Sequence, residues 1–332
     1  MTQQVPSIAF LFPGQGSQVA GMGKELAATY QVAQQVFEEA DEALGYKLSE
    51  LCFEGPDEQL RLTEITQPAI LTVSIATFRV LESVGILPGF VAGHSLGEYS
   101  AQVAAGTISF GDAVRTVRNR GKYMQEAVPV GEGTMAAILA LSIEQIEAAC
   151  NEAAQGLVCQ PGNVNSPDQI VISGAKAAVE RAAELCKQKG AKRAIMLPVS
   201  APFHCAMMQP AQDRLSEDLQ ALCLQPPKIP VMCNVDAKLV TTGEASRDAL
   251  VRQVTSTVQW ERSIRNLIEA GVEIFVETGP GKVLTALMRQ IDRSRTAMNV
   301  EDEASLQKLK THLASLSPKP ESLTPVPEQA GR

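Results

Sequence analysis

A chain of 332 residues, 45% of them hydrophobic, can bury a large core in one big domain or two unequal ones. Its net charge of −8 excludes a generally basic nucleic-acid-binding surface, because neutralising phosphates needs clustered cations. No apolar run approaches the roughly 20 residues of a membrane-spanning helix, and seven scattered cysteines without a C-x-x-C pair argue against a disulfide framework or a zinc site.

The opening MTQQVPSIAFLF lacks the basic flank and cleavage pattern of a secretory signal, so the expected compartment is the cytoplasm and the expected cysteines are reduced, mostly buried thiols. SIAFLF at 7–12, followed by PGQG, reads as a buried strand feeding a loop. Residues 21–44 read as one helix. PAILTVSIATFRVLESV at 68–84 reads as another, with Pro68 in its first turn. GFVAG at 89–93 is strand-like, and EYSAQVAAG restarts as helix, so strand, tight turn and helix occur in the order of a nucleophile elbow.

From about residue 131 the rhythm changes to strand, helix, strand, strand, helix, strand. TMAAILAL, SIEQIEAACNEAA, LVCQPGNVN, QIVISG, AKAAVERAAELCKQKG and KRAIMLPV supply these in turn. That order fits a small ferredoxin-like domain at 131–199, inserted into a larger α/β-hydrolase-like domain made of 1–130 and 200–316. The second part of the larger domain reads as helix at 207–222, strand at 229–234, helix at 246–254 and strand at 273–278. SPKPESLTPVPEQAGR at 317–332, with four prolines, reads as a disordered tail.

In FVAGHSLGEYSA, Gly93 and Gly97 flank Ser95 at the spacing that lets a sharp turn lift a serine above a sheet edge. The same pattern also occurs as an ordinary turn. A catalytic serine needs a base within hydrogen-bond reach, and the chain has three histidines. His94 adjoins Ser95, where neighbouring side chains diverge. His312 lies in a C-terminal amphipathic segment expected to be solvated. His204, in LPVSAPFHCAMMQPA, is left as the candidate base, although loop histidines commonly serve structure alone. Arg120 in RTVRNRGKYMQ reads, on the residues alone, as one more charge on a solvated helix face.

FPGQGSQ at 12–18, GHSLGEYSA at 93–101, RGKYMQEAVP at 120–129, NVNSP at 163–167, PFHCAMMQPA at 202–211, VQW at 258–260 and ETGPGKVL at 277–284 occur in that order. Together they resemble the malonyl-CoA:acyl carrier protein transacylases of bacterial fatty-acid synthesis and the related acyltransferases of polyketide synthases. The resemblance implies a ping-pong reaction in which Ser95 takes a malonyl group from malonyl-CoA and passes it to the phosphopantetheine thiol of a holo acyl carrier protein. It implies His204 as the base, the backbone N–H groups of Gln15 and Leu96 as the oxyanion hole, and Arg120 as the clamp on the malonyl carboxylate. Gln253 matches the position that orients the histidine. Asn165 and Phe203 are pocket candidates, Phe203 where a 2-methyl branch would sit. No metal or cofactor is implied, and a monomer that binds neither nucleic acid nor membrane is expected.

A basic cluster of Lys187, Lys189, Lys192 and Arg193 is a candidate docking patch for an acidic carrier, or a solvated helix terminus. A polyketide acyltransferase working in trans, a hydrolase that clears carriers, and a non-catalytic carrier-binding scaffold are the alternatives. The last conflicts with an intact Ser95, His204 and Arg120 set.

Overall fold

The computed structural model describes residues 7–199 and 201–316, and the predicted tail at 317–332 lies outside them. The chain begins with β1 (Ser7–Phe12), followed by α1 (Lys24–Thr29), α2 (Gln31–Leu44), α3 (Leu48–Glu54), α4 (Asp57–Leu60) and α5 (Thr63–Ser83). Then come β2 (Phe90–Gly93), α6 (Gly97–Ala104) and α7 (Phe110–Glu126). The changed rhythm of the sequence corresponds to β3 (Gly133–Leu139), α8 (Ile143–Ala154), β4 (Cys159–Ser166), β5 (Gln169–Ala175), α9 (Lys176–Gln188) and β6 (Arg193–Met196). After a single 3-10 turn at Ala206–Met208 follow α10 (Gln209–Gln220), β7 (Val231–Met232), β8 (Leu239–Val240), α11 (Gly243–Arg252) and α12 (Trp260–Glu269). The described chain closes with β9 (Val272–Thr278), α13 (Val283–Ile291), β10 (Thr296–Val300) and α14 (Glu303–Leu316).

The fold is α/β with a mostly parallel main sheet, strand order β10-β9-β1-β2-β7-β8, in which only β8 runs antiparallel to its neighbour. A parallel sheet covered on both faces needs strands with continuous apolar runs, and Ile8 to Phe12 of β1 and Ile274 to Val276 of β9 supply them. Successive β1 side chains feed opposite cores. Phe10 and Phe12 meet Phe78 of α5 edge-on at 6.2 and 6.3 Å, while Ala9 and Leu11 pack with Trp260, Leu267 and Met288 on the other face.

The second sheet is antiparallel, order β4-β5-β3-β6. Its period-two alternation splits β3 between two cores: Ala136 and Ile138 pack with α8 and α9, whereas Met135 and Ala137 turn to the main body. A short parallel bridge ties the two sheets' regions together, with Val164 N–H donating to Val258 O and Val258 N–H to Gly162 O, both at 2.9 Å. Among the described residues no helix is long and apolar enough to cross a membrane.

Several element boundaries differ from expectation. The helix expected over 21–44 is two, α1 and α2, because Gly21 and Gly23 hold left-handed backbone and Tyr30 is extended between the pair. Pro68 lies inside α5 rather than opening it. Only one backbone hydrogen bond, to Glu64 O, is forfeited near that helix's start. The strand expected over 229–234 shrinks to Val231–Met232, and the helix expected over 246–254 begins earlier, at Gly243, where Thr242 Oγ1 accepts from Ala245 N–H at 3.1 Å.

Candidate active site

Parallel strands present their C-terminal ends along one edge, where open α/β sheets form clefts. Here the PGQG loop follows β1, the Gly93–Gly97 turn follows β2, and TGPGK follows β9. The turn after β2 is built for close approach. A Cβ on Gly93 would collide with the backbone of Gly97, and one on Gly97 with the carbonyl of Phe12. Ser95 at the apex holds φ 52°, a left-handed conformation rare for a side-chain-bearing residue, so its hydroxyl is lifted clear of strand and helix.

His204 reaches Ser95 from the segment between β6 and α10, also with positive φ, 59°. Its Nε2 lies 2.6 Å from Ser95 Oγ, and its Nδ1 lies 2.9 Å from Gln253 O. A carbonyl only accepts, so Nδ1 carries the proton and Nε2 is left as an acceptor facing the serine O–H. Burial first, then the Arg120 charge, pushes the His204 pKa down to about 3, so the ring is neutral at physiological pH.

Arg120, in α7, is 1% exposed, which contradicts the reading of a solvated helix charge. It donates to Gln67 Oε1 at 2.9 Å, Gln253 Oε1 at 2.9 Å and Ser95 Oγ at 3.1 Å. All three acceptors are neutral, and among the described residues no carboxylate lies within ion-pair distance of the guanidinium. A cavity of about 150 Å³ opens over these groups, lined by Gln15, Leu96, Phe203, His94, Asn163 and apolar side chains including Met135 of β3. The N–H groups of Gln15 and Leu96 have no partner among the described residues, which leaves both available to an oxygen in the cavity.

Two sequence readings, those of Asn165 and His312, need correction. Asn165, a pocket candidate, is not among the residues lining the cavity; it lies in β4 and its Oδ1 accepts from His94 Nε2 at 2.8 Å, while Asn163, two positions earlier, lines the cavity. His94 is held away from the serine by that bond and by its ring packing against Trp260, centroids 5.4 Å apart. Gln253 is fully buried at the end of α11 and orients His204 through its backbone carbonyl, while its side chain serves Arg120. His312 is half-buried in α14 rather than solvated. In the basic cluster, Lys187 pairs with Glu184 at 3.5 Å and Lys189 with Glu152 at 3.4 Å, so only Lys192 and Arg193 keep uncompensated charge among the described residues.

Sequence reasoning missed Gln67, Asn234 and Glu98. Asn234 braces the elbow: its Oδ1 accepts from Ser95 N–H at 2.7 Å and its Nδ2 donates to Gly93 O at 2.7 Å. The signal for Glu98 was the one charged residue in the helical text after Ser95, LGEYSAQVAAG. Gln67 and Asn234 had no local signal.

The acyl transferase domain family matches residues 9–323, nearly the whole of the geometry just described. The chain belongs to that family. This acyltransferase is 52% identical over 299 residues to the malonyl CoA-acyl carrier protein transacylase of Escherichia coli strain K12, covering 90% of this chain and 97% of that protein. It is 50% identical over 301 residues to the protein of the same name from Bacillus subtilis strain 168, covering 90% and 95%. Among solved structures it resembles an acyl carrier protein S-malonyltransferase from Vibrio cholerae, TM-score 0.90 at 50% identity, covering 91% of this chain and 99% of that one. It also resembles a structure described as a type II polyketide synthase acyl-carrier protein in complex with its malonyl-transacylase, TM-score 0.90 at 48% identity, covering 92% and 99%.

Proposed function

We propose that this acyltransferase moves a malonyl group from malonyl-CoA to the phosphopantetheine thiol of holo acyl carrier protein by way of a malonyl ester on Ser95. The observation that carries the reading is the buried Arg120 guanidinium, whose hydrogen-bond partners are all neutral, beside a serine already hydrogen-bonded to a neutral histidine. A buried cation lacking an anion is costly, and a planar guanidinium accepts a carboxylate through two parallel N–H bonds. The relatives' names supply the same substrate and the same acceptor.

The chemistry follows from the geometry. Ser95 Oγ attacks the thioester carbonyl as its proton passes to His204 Nε2, and the Gln253 carbonyl holds the resulting imidazolium through Nδ1. The N–H groups of Leu96 and Gln15 receive the oxyanion, and collapse expels the CoA sulfur, which takes the proton from His204. The carrier's thiol then gives its proton to His204, attacks the ester and returns the hydroxyl to Ser95. Thioester, ester and thioester are close in energy, so the site has to stabilise transition states and exclude water rather than drive the reaction.

The architecture that holds this site we read as an α/β-hydrolase-like domain, 1–130 and 200–316, with a ferredoxin-like domain at 131–199 over its active edge. The strand order β4-β5-β3-β6 and the two helices packed on one face support the ferredoxin-like reading. The enzyme is proposed to act as a cytoplasmic monomer.

Substituting Arg120→Ala tests the reading, because malonyl and acetyl thioesters share the reacting carbonyl and differ in one carboxylate. Acetyl-CoA brings no carboxylate into contact with the guanidinium, a deficit of roughly 3–5 kcal/mol or hundreds- to thousands-fold discrimination. The variant should lose malonyl loading by orders of magnitude while acetyl loading holds or rises, measured as acyl-enzyme formed from each ester beside a melting curve. A malonyl-to-acetyl ratio that survives the substitution removes Arg120 as the clamp.

A further inference from the structure

Glu98 is wholly buried in α6, one helical turn past the nucleophile, and the reaction steps above give it no task. Its Oε2 accepts from Gln253 Nε2 at 2.7 Å and from Asn234 N–H at 3.0 Å, while its Oε1 has no partner among the described residues. Gln253 is thus shared between two opposite charges. Its Oε1 accepts from Arg120, and its Nε2 donates to Glu98 and to Ser95 O at 3.0 Å. An amide has one accepting end and one donating end, so a cation on one side and a carboxylate on the other fix which way it faces.

We propose that Glu98 is the internal counter-charge of Arg120, relayed through the Gln253 amide, and that arrival of the malonyl carboxylate at Arg120 takes over that role and makes Glu98 bind a proton. The inference rests on the malonyl reading above. Two anions served by one buried cation repel each other, and the weaker acid of the two is neutralised. The proton comes from solvent, one for each malonyl group bound at full coupling, and returns to solvent when the acyl group leaves.

Glu98 is poised for this. Burial raises its pKa to about 7, against the lowering effects of the Asn234 N–H, the Gln253 amide and the charges of Arg120 and Arg252. The titratable groups around it hold their charge across neutral pH. Arg120 from α7 and Arg252 from α11 stay protonated, the latter paired with Asp236 and Asp248, both at 2.7 Å. Tyr99 beside it on α6 and Cys233 after β7 are pushed up by burial, and His204 is already neutral.

The test is the ratio of malonyl to acetyl loading as a function of pH, since the CoA phosphates are common to both esters and cancel. Malonyl binding that raises the Glu98 pKa favours the low-pH side. A raise of one unit from 7 makes the ratio fall about sixfold between pH 6.5 and 8.5. Glu98→Gln keeps the shape and one accepting oxygen, placing its NH2 where Oε1 has no partner, and should give a flat ratio. A flat ratio in the wild type, or a wild-type slope in the variant, overturns the inference and leaves the malonyl reading standing; failure of malonyl-CoA to load the enzyme at all overturns that reading instead. Should Glu98→Gln fail to fold, proton uptake by the wild type in weakly buffered solution decides. Uptake on mixing with malonyl-CoA should exceed that with acetyl-CoA by a measurable fraction of a proton per enzyme, and equal uptake contradicts the proposal.

Discussion

His204 works as a base because it is neutral, and it is neutral because the chain buries it beside a cation. Its ordinary pKa near 6.5 is pushed down to about 3, chiefly by desolvation and then by Arg120. The sign of the pH dependence follows. Protonation, which would silence the base, happens only in strong acid, so acidification through pH 6.5 should cause no loss of acylation attributable to this ring. Burst-phase acylation of the Glu98→Gln variant, which lacks the other buried group titrating near neutrality, by an acetyl thioester without the CoA phosphates should stay level from pH 8 to 5. A fall with its midpoint near 6.5 would mean that His204 titrates like a solvated imidazole. Residue by residue, the reading of the sequence went furthest where chemistry narrows the choice. Three histidines left one base for Ser95. Arg120 read from its neighbours alone as a surface charge, because nothing in RTVRNRGKYMQ says which face of α7 turns inward; only the resemblance to known transacylases gave it a task. Glu98 went unread because its partners, Asn234 and Gln253, lie more than a hundred residues away.

At the scale of elements, the turn after β2 is the feature on which the site depends. The Gly93 and Gly97 backbones and the end of β1 approach so closely that no Cβ fits between them. Gly97 does not hold positive φ, so its requirement is for space alone. Gly97→Ala should therefore displace the elbow against the Phe12 and Pro13 carbonyls, costing roughly 3 kcal/mol or more, since backbone yields less than a side chain. A lowered melting temperature together with lost acyl-enzyme formation is expected; wild-type values for both would show that the elbow has slack. This element was legible because its glycine spacing and the change from strand to helix text are local. Element ends were less so. Tyr30 breaks a helix that composition would have continued, held extended with its hydroxyl donating to Glu303 of α14 at 2.8 Å. Asn165, expected as a pocket residue, lies in the stretch PGNVNSP at 161–167. The pairing of β4 with β5 absorbs that text, with register shifts after Pro161 and Val164, and turns Asn165 toward His94.

Across the whole molecule, the site is assembled from segments far apart in sequence. The PGQG loop, the elbow, α5, α7, the segment after β6 and the end of α11 all contribute groups, and Met135 of the antiparallel sheet closes over them. Alternation in β3 makes this possible, because the same strand fills the core of its own sheet and the roof of the cavity. The order of elements was open to sequence reasoning, and so was the inserted β-α-β-β-α-β run. How the two sheets meet was not, since neither NVNSP nor VQW, though both carry the resemblance, says that Asn163 and Val258 form a bridge. The claim that unites these scales is that Ser95 carries the malonyl group between donor and carrier. The most direct measurement is mass spectrometry of the enzyme mixed with malonyl-CoA alone, with peptide mapping, followed by addition of holo acyl carrier protein. The account predicts one malonyl adduct per chain on Ser95, absent in Ser95→Ala and discharged onto the carrier thiol. An adduct on any other residue, or transfer to the carrier by Ser95→Ala at the wild-type rate, would contradict it.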